Sequence, residues 1–243
     1  MISLDNFDKC AVTVDNVIFG FDEGDLKILL IKRGEPPFEN HWGLPGYFVK
    51  ADEGLDNAAK RVLSELTGLE NVYLEQVSTF GETNRHPAGR VITVSFYSLV
   101  KISDYKINAA SIALSIEWKS VSYAKGLAFD HDRIFKTCFR RLKQRVKSEP
   151  IGFELLPDKF TLTQLQHLYE AILETKLDKR NFRKKILSMD FLEDLEEREE
   201  KVAHRPAKLY KFNETRYQES KARGMVFDIS ESKKKIKKDK LDI

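Results

Sequence analysis

Apolar positions along the chain change period several times, and each change marks a predicted element. "CAVTVDNVIFGF" and "LKILLIKR" are β-branched apolar runs separated by "DEGD", which predicts two strands joined as a hairpin. A loop rich in Pro, Gly and Asn comes next, from Gly34 to Gly46. Leu55, Ala58, Ala59, Val62, Leu63 and Leu66 recur at helical spacing, and Gly68 stops that helix. "VYLEQVSTF", "VITVSFYSLVK" and "LSIEWKSV" predict three more strands. Asp130 is placed to cap a helix reaching about Lys147, with Ile134, Phe135, Cys138, Leu142 and Val146 inward. Strands enclosing two helices make an α+β or layered α/β domain.

"SEPIGFELLPD" loses the periodicity and carries two prolines and a glycine, so the domain boundary is set there. The reading gives a first domain over 1–148, a linker over 149–157 and a second domain over 158–217. In the second, Thr161 and Gln164 form a capping-box pattern ahead of a helix with Leu162, Leu165, Leu168, Tyr169 and Ile172 inward. Asp178 caps another helix with Phe182, Ile186 and Met189 inward, and "FLEDLEER" and "KLYKF" predict a strand pair. Two helices, a tight connection and a basic hairpin predict a winged helix-turn-helix. Residues 218–243 end in "SESKKKIKKDKLDI" and are expected to be a basic, disordered tail.

Composition excludes several classes. No apolar run approaches the roughly 18–20 residues of a membrane helix, so a cytoplasmic protein without a membrane partner is expected. Cys10 and Cys138 alone cannot form a disulfide framework, and no Cys/His cluster has zinc spacing, so neither metal nor cofactor is expected. The net charge of +3 lies wholly in the second part: residues 1–150 hold 20 Lys/Arg against 20 Asp/Glu, and 151–243 hold 21 against 18. A run of cations on one short element is the footprint of a nucleic-acid contact or of a solvated face.

"GYFVKADEGLDNAAKRVLSELTGL" resembles the Nudix box, G-x5-E-x7-R-E-U-x-E-E-x-G-U, where U is bulky and apolar. Anchored on Glu53, the pattern places Arg61, Leu63, Glu65, Gly68 and Leu69 correctly. Val62 and Leu66 stand where two glutamates belong, and Tyr47 where the opening glycine does. Nudix hydrolases cleave nucleoside diphosphate derivatives, with helix glutamates gathering Mg²⁺ around the pyrophosphate. Positions 62, 65 and 66 share one helix face, so only one carboxylate of three remains for a cation that wants several oxygens. Hydrolysis is therefore not expected and no catalytic residue is assigned, while Glu53 and Arg61 retain the family's structural brace.

The pairing of such a domain with "FTLTQLQHLYEAI", "RNFRKK" and a "LYKF" strand resembles the Nudix-related transcriptional regulators. Those include NAD-metabolism repressors that sense ADP-ribose and arabinose-responsive regulators of Bacteroides-type bacteria, and "EPIGF" and "RNFRKK" are similar to the second branch. The resemblance implies a homodimer on operator DNA and a small effector in a mixed-sheet α/β/α sensor domain. Arg prefers guanine and Asn adenine, so Arg180 and Asn181 are readout candidates with Lys184 beside them. Lys179, Arg183, Lys185, Lys201, Arg205 and Lys208 suit phosphates. In the sensor domain Trp42, Glu65, Glu82, Arg85, Arg90 and His131 are candidate ligand residues; Arg85 and Arg90 belong to "NRHPAGR", and His131 to "FDH". A pentose such as L-arabinose is the preferred effector, because it needs no counter-ion, and ADP-ribose comes second. The function read is a repressor of sugar-utilisation genes. The competing classes are a Nudix pyrophosphatase and a nucleotide-binding protein whose basic helix contacts another protein.

Overall fold

The computed structural model describes residues 8–105, 113–200 and 205–229. The first hairpin is β1 (Ala11–Asp22) and β2 (Asp25–Arg33), antiparallel, turning through Glu23 and Gly24. Both turn residues have positive φ, and such turns match the twist of the strands they join. The long loop after β2 contains two short strands, β3 (Trp42–Gly43) on β2 and β4 (Gly46–Phe48) on β1. Then come α1 (Leu55–Thr67), β5 (Glu75–Phe80), β6 (Val91–Val100), β7 (Ala113–Ser120) and α2 (His131–Ser148). The sheet order is β3-β2-β1-β6-β5, with β4 added on β1 and β7 on β2. β1 and β6 run parallel, and the other described pairs are antiparallel.

Strand alternation decides which helix each face receives. Val14 and Phe96 face α1 and pack with Ala58, Ala59, Val62 and Leu66. Val17 and Phe19 face α2 and pack with Ile134, Phe135, Cys138 and Phe139. The result is the expected α/β/α layering around a mixed sheet.

The second unit contains β8 (Phe160–Thr161), α3 (Leu162–Leu173), α4 (Lys179–Ser188), β9 (Leu192–Arg198), β10 (Lys208–Phe212) and α5 (Glu214–Ala222). Thr161 and Gln164 complete a reciprocal capping box, and the Asn181 N–H donates to Asp178 at 2.8 Å. β8, β10 and β9 form the three-stranded wing sheet. This is the winged helix-turn-helix expected from the sequence.

Two boundaries differ from expectation. Residues 149–157 are no exposed linker: a 3-10 turn, Pro150–Leu155, buries Phe153, whose ring stacks on Phe212 at 4.6 Å. The tail expected from 218 does not begin there, because α5 runs to Ala222 and Phe227 and Ile229 are buried beyond it. Both segments carry isolated apolar residues without a period, which is why the pattern passed over them. Among the described residues, no helix is long and apolar enough to cross a membrane.

Candidate functional site

α1 carries the degenerate box. Val62 and Leu66 are buried in the apolar layer between this helix and the sheet, so they serve as core. Glu65 is exposed and paired to Arg61 at 2.8 Å. Among the described residues no three His, Cys, Asp or Glu side chains come together as a metal site. The donor set does not fit the Mg²⁺ that a Nudix fold implies: two ligand positions are hydrocarbon, and the third carboxylate already has a cation. The brace is in place. Arg61 donates from Nε to Glu53 at 2.9 Å and from a terminal nitrogen to the Phe48 carbonyl at 3.0 Å, tying β4 to α1. The Arg61 guanidinium and the Lys50 N–H lower the Glu53 pKa to about 2.

A second constellation lies at the start of α2. Arg85 is buried and donates two bonds to Asp130, at 3.1 and 2.7 Å. Asp130 therefore makes no side-chain helix cap, contrary to the sequence reading. Asp15 interrupts the apolar run of β1 and is also buried; Thr93 donates to it at 2.7 Å, and Arg85 stands 3.6 Å away. The Leu44 N–H donates to His131 Nδ1 at 2.9 Å, which leaves Nε2 facing Asp15 at 3.4 Å. Burial acts to raise the Asp15 pKa, but His131, Thr93 and Arg85 outweigh it and hold the carboxyl below its ordinary value. Gly46 is needed here, since a Cβ at that position would meet the Asp15 carboxylate.

Over this buried layer lies an aromatic surface. Phe129 adopts the left-handed conformation at φ 55° and stacks on His86 at 5.0 Å, with Phe38 edge-on at 4.8 Å and the Arg33 guanidinium over its ring at 4.9 Å. Tyr47 and Phe48 stand exposed nearby, the latter 6.5 Å from His86. Burial, then the charges of Arg85 and Arg33, lower the His86 pKa and favour the neutral ring. Between Arg33, Glu35, Gly46, Tyr47 and Leu66 is a cavity of about 30 Å³.

The expected ligand residues do not converge. Arg85 and His131 meet only in the buried brace. Trp42 lies under the Lys119 ammonium at 4.0 Å, exposed Glu82 pairs with Arg133 at 3.0 Å, Arg90 donates to the Gly81 carbonyl, and Glu65 serves Arg61. The aromatic surface is built from Arg33, Phe38, Tyr47, Phe48, His86 and Phe129, none of which was expected from the sequence as a ligand residue. Asp15, a lone carboxylate within a buried strand pattern, was a signal that sequence reading could have used.

On α4, Lys179, Arg180, Asn181 and Lys184 are exposed together. Arg183 turns inward and donates to Thr163 at 2.9 Å, and Lys185 stands 3.6 Å from Asp228. On the wing Arg205 is exposed and Lys208 pairs with Asp194 at 2.7 Å, while Lys201 lies outside the described residues.

Comparison with known proteins is consistent with both halves. Residues 11–138 match the NUDIX domain, and residues 152–212 match the NrtR DNA-binding winged helix domain. The "ADPR responsive transcriptional repressor NtrR" of Acinetobacter baylyi is 38% identical over 206 residues, covering 83% of this chain and 81% of that protein. The chain belongs to the NrtR family. Crystalline Shewanella oneidensis NrtR in complex with a 27mer DNA superposes with a TM-score of 0.70 at 30% identity, covering 85% of this chain and 95% of that one. The NUDIX domain of the same NrtR, crystallised with ADP ribose, matches with a TM-score of 0.53 at 31% identity, over 58% of this chain and 94% of that one. The likeness to arabinose-responsive regulators finds no support among these NrtR relatives. The NrtR winged-helix match also stops at residue 212, before α5 and the buried segment after it.

Proposed function

We propose that this chain is an ADP-ribose-responsive repressor, in which a homodimer presents α4 to operator DNA and the Nudix-like domain binds the effector without hydrolysing it. The observation that carries the reading is the exposed row of Lys179, Arg180, Asn181 and Lys184 on a helix whose N-terminus is capped and whose other side is buried by Phe182 and Ile186. An α-helix enters the major groove with its N-terminal part against base edges, so Arg180 and Asn181 are the base-reading pair. The DNA-bound relative supports this role.

For the effector, the relatives favour ADP-ribose over a pentose. A pyrophosphate needs a counter-charge, which a neutral sugar does not. The Arg33 guanidinium supplies one, beside a flat His86–Phe129 stack and exposed Tyr47 and Phe48 suited to a purine. We assign the effector to this surface. The 30 Å³ cavity is far below the roughly 300 Å³ a small ligand fills, so the ligand lies across the aromatic rings or displaces the Glu35–Asn40 loop. Hydrolysis is excluded in this reading by buried Val62 and Leu66.

A thermal-shift panel combined with a DNA-binding assay on the chain's own upstream region tests the assignment. ADP-ribose at about 100 times its dissociation constant should add roughly 2.7 kcal/mol of stability and release the DNA. Arg33→Ala should abolish both responses while DNA binding without ligand persists. If L-arabinose acts and ADP-ribose does not, the effector assignment is wrong; sustained ADP-ribose turnover near 10 per second would instead favour the pyrophosphatase.

A further inference from the structure

Glu170 lies near the end of α3, and the turn into α4 is built around it. Its backbone carbonyl accepts from the Glu174 N–H, which closes α3, and from the Thr175 N–H at 3.2 Å. Its side chain, only 9% exposed, holds the next stretch of the turn. Oε1 accepts from the Leu177 N–H at 2.9 Å and from Gln166 Nε2 at 3.0 Å. The same Gln166 nitrogen donates to the Leu177 carbonyl at 3.1 Å, so both polar groups of the Leu177 backbone are gripped by α3. Burial acts to raise the Glu170 pKa, but the Leu177 N–H, Gln166 and Lys176 outweigh it and keep the carboxyl below its ordinary value. Leu177 stands just before Asp178, the residue that caps α4. An apolar side chain there that packs with the fourth helical residue fixes the angle at which the chain enters the helix. Here the fourth residue is Phe182, and Leu177 packs on the cluster that contains it. Arg180 and Asn181 follow within four residues, so a displacement of Leu177 is carried to them.

We propose that Glu170, seconded by Gln166, is a positioning residue for base reading: by gripping both backbone polar groups of Leu177 it sets how α4 is presented to the major groove. The inference rests on the DNA-binding reading above. A bidentate contact to a base edge needs two hydrogen bonds aligned at once, and each weakens steeply as it bends. Lysines on phosphates are point charges on flexible stems and tolerate more displacement. Loss of the grip therefore acts on selectivity more than on general attraction to DNA. The side chain's part is separable from plain support of α3, because that helix is closed by the Glu170 backbone carbonyl, which every substitution keeps. Charge is separable too. The one ammonium on the carboxylate, Lys176 at 3.3 Å, bonds Oε2 and is almost fully exposed, whereas the grip runs through Oε1.

The test compares Glu170→Ala, Glu170→Gln and Gln166→Met with the parent, all as full chains. Binding is measured on the upstream duplex and on a random-sequence duplex of the same length, and the ratio of the two affinities is the readout. Glu170→Ala and Glu170→Gln remove the same charge, so any electrostatic gain is common to both. Glu170→Ala should lower the ratio about tenfold, within what one bidentate base contact is worth. Glu170→Gln should keep the ratio near the parent's, since its carbonyl oxygen can stand where Oε1 does. Gln166→Met keeps the buried volume, removes both donated bonds and should lower the ratio as well. Exchange of the Leu177 amide should quicken in Glu170→Ala and stay slow in Glu170→Gln. A quickened Leu177 amide with an undiminished ratio overturns the proposal, because the turn is then loosened without consequence for reading. Equal losses in Glu170→Ala and Glu170→Gln overturn it too, by assigning the effect to charge. Should Glu170→Ala fail to fold, an unchanged ratio in Gln166→Met sinks the grip. A parent chain with no preference for the upstream duplex fails the DNA-binding reading itself, and the proposal falls with it; a parent preference that survives all three substitutions fails the grip alone.

Discussion

The Tyr169 hydroxyl is buried in α3 and has no hydrogen-bond partner among the described residues. Burial alone pushes its pKa up, since nothing solvates the phenolate. Tyr97 gives the contrast. Its hydroxyl donates to Glu75 at 3.2 Å and accepts from Arg145 at 3.1 Å, and burial followed by Glu75 raises its pKa to about 12. An unpaired buried polar group costs about 1–3 kcal/mol, whereas removing one member of a network strands its partners. Tyr169→Phe should therefore leave stability unchanged or raise it by about 1 kcal/mol, and Tyr97→Phe should lower it, as read by urea unfolding. A loss on Tyr169→Phe as large as that on Tyr97→Phe would show that the Tyr169 hydroxyl has a partner in solution.

Among the elements, α1 shows how a box built for chemistry persists as a clamp. Glu53 accepts from Arg61 and from the Lys50 N–H, so the loop after β4 is held against the helix whether or not the helix carries metal ligands. Its pKa falls from the ordinary 4.5 to about 2, chiefly through Arg61. A depressed carboxylate stabilises the fold fully above its unfolded value and loses that contribution as pH drops through the folded value. Glu53→Gln should thus lower stability at pH 6, and the gap to the parent should close steadily between about pH 5 and 2. A gap that stays constant down to pH 3 would mean that the clamp is not ionic. Most of this element was legible in the sequence, because helical spacing, the Gly68 stop and the Glu53–Arg61 pair are local patterns. So were the Thr161–Gln164 box and the Asp178 cap. The aromatic surface was not. It gathers Arg33 from the end of β2 and Phe38, His86 and Phe129 from separate loops, and it depends on the left-handed backbone of Phe129, which no period encodes. α5 escaped notice for a related reason: it buries only Tyr217, too little for an apolar stripe.

At the scale of the whole molecule, one apolar cluster runs from Val17 and Phe19 under α2 to Leu165, Phe182 and Ile186 in the winged helix. The connecting segment is part of it, with Phe153 against Phe160 at 5.5 Å, Phe191 at 5.7 Å and Phe212 at 4.6 Å. Domains joined by an exposed linker unfold separately, but a shared core makes the free energy of one half depend on the other. Under the proposed assignment of the effector to the Arg33 surface, that dependence offers a physical route by which binding there would bias the placement of α4. It has a direct test, because both tryptophans, Trp42 and Trp118, lie in the sensor half and report it alone by fluorescence. Amide exchange of α3 reports the other half. The two probes should give one midpoint in urea. Phe153→Ala should shift both by the same amount, equivalent to about 3–5 kcal/mol, since it removes a buried ring shared by the two halves. If fluorescence keeps its midpoint while α3 exchange moves, the cluster is two cores in contact, and coupling between effector and DNA must travel by another path.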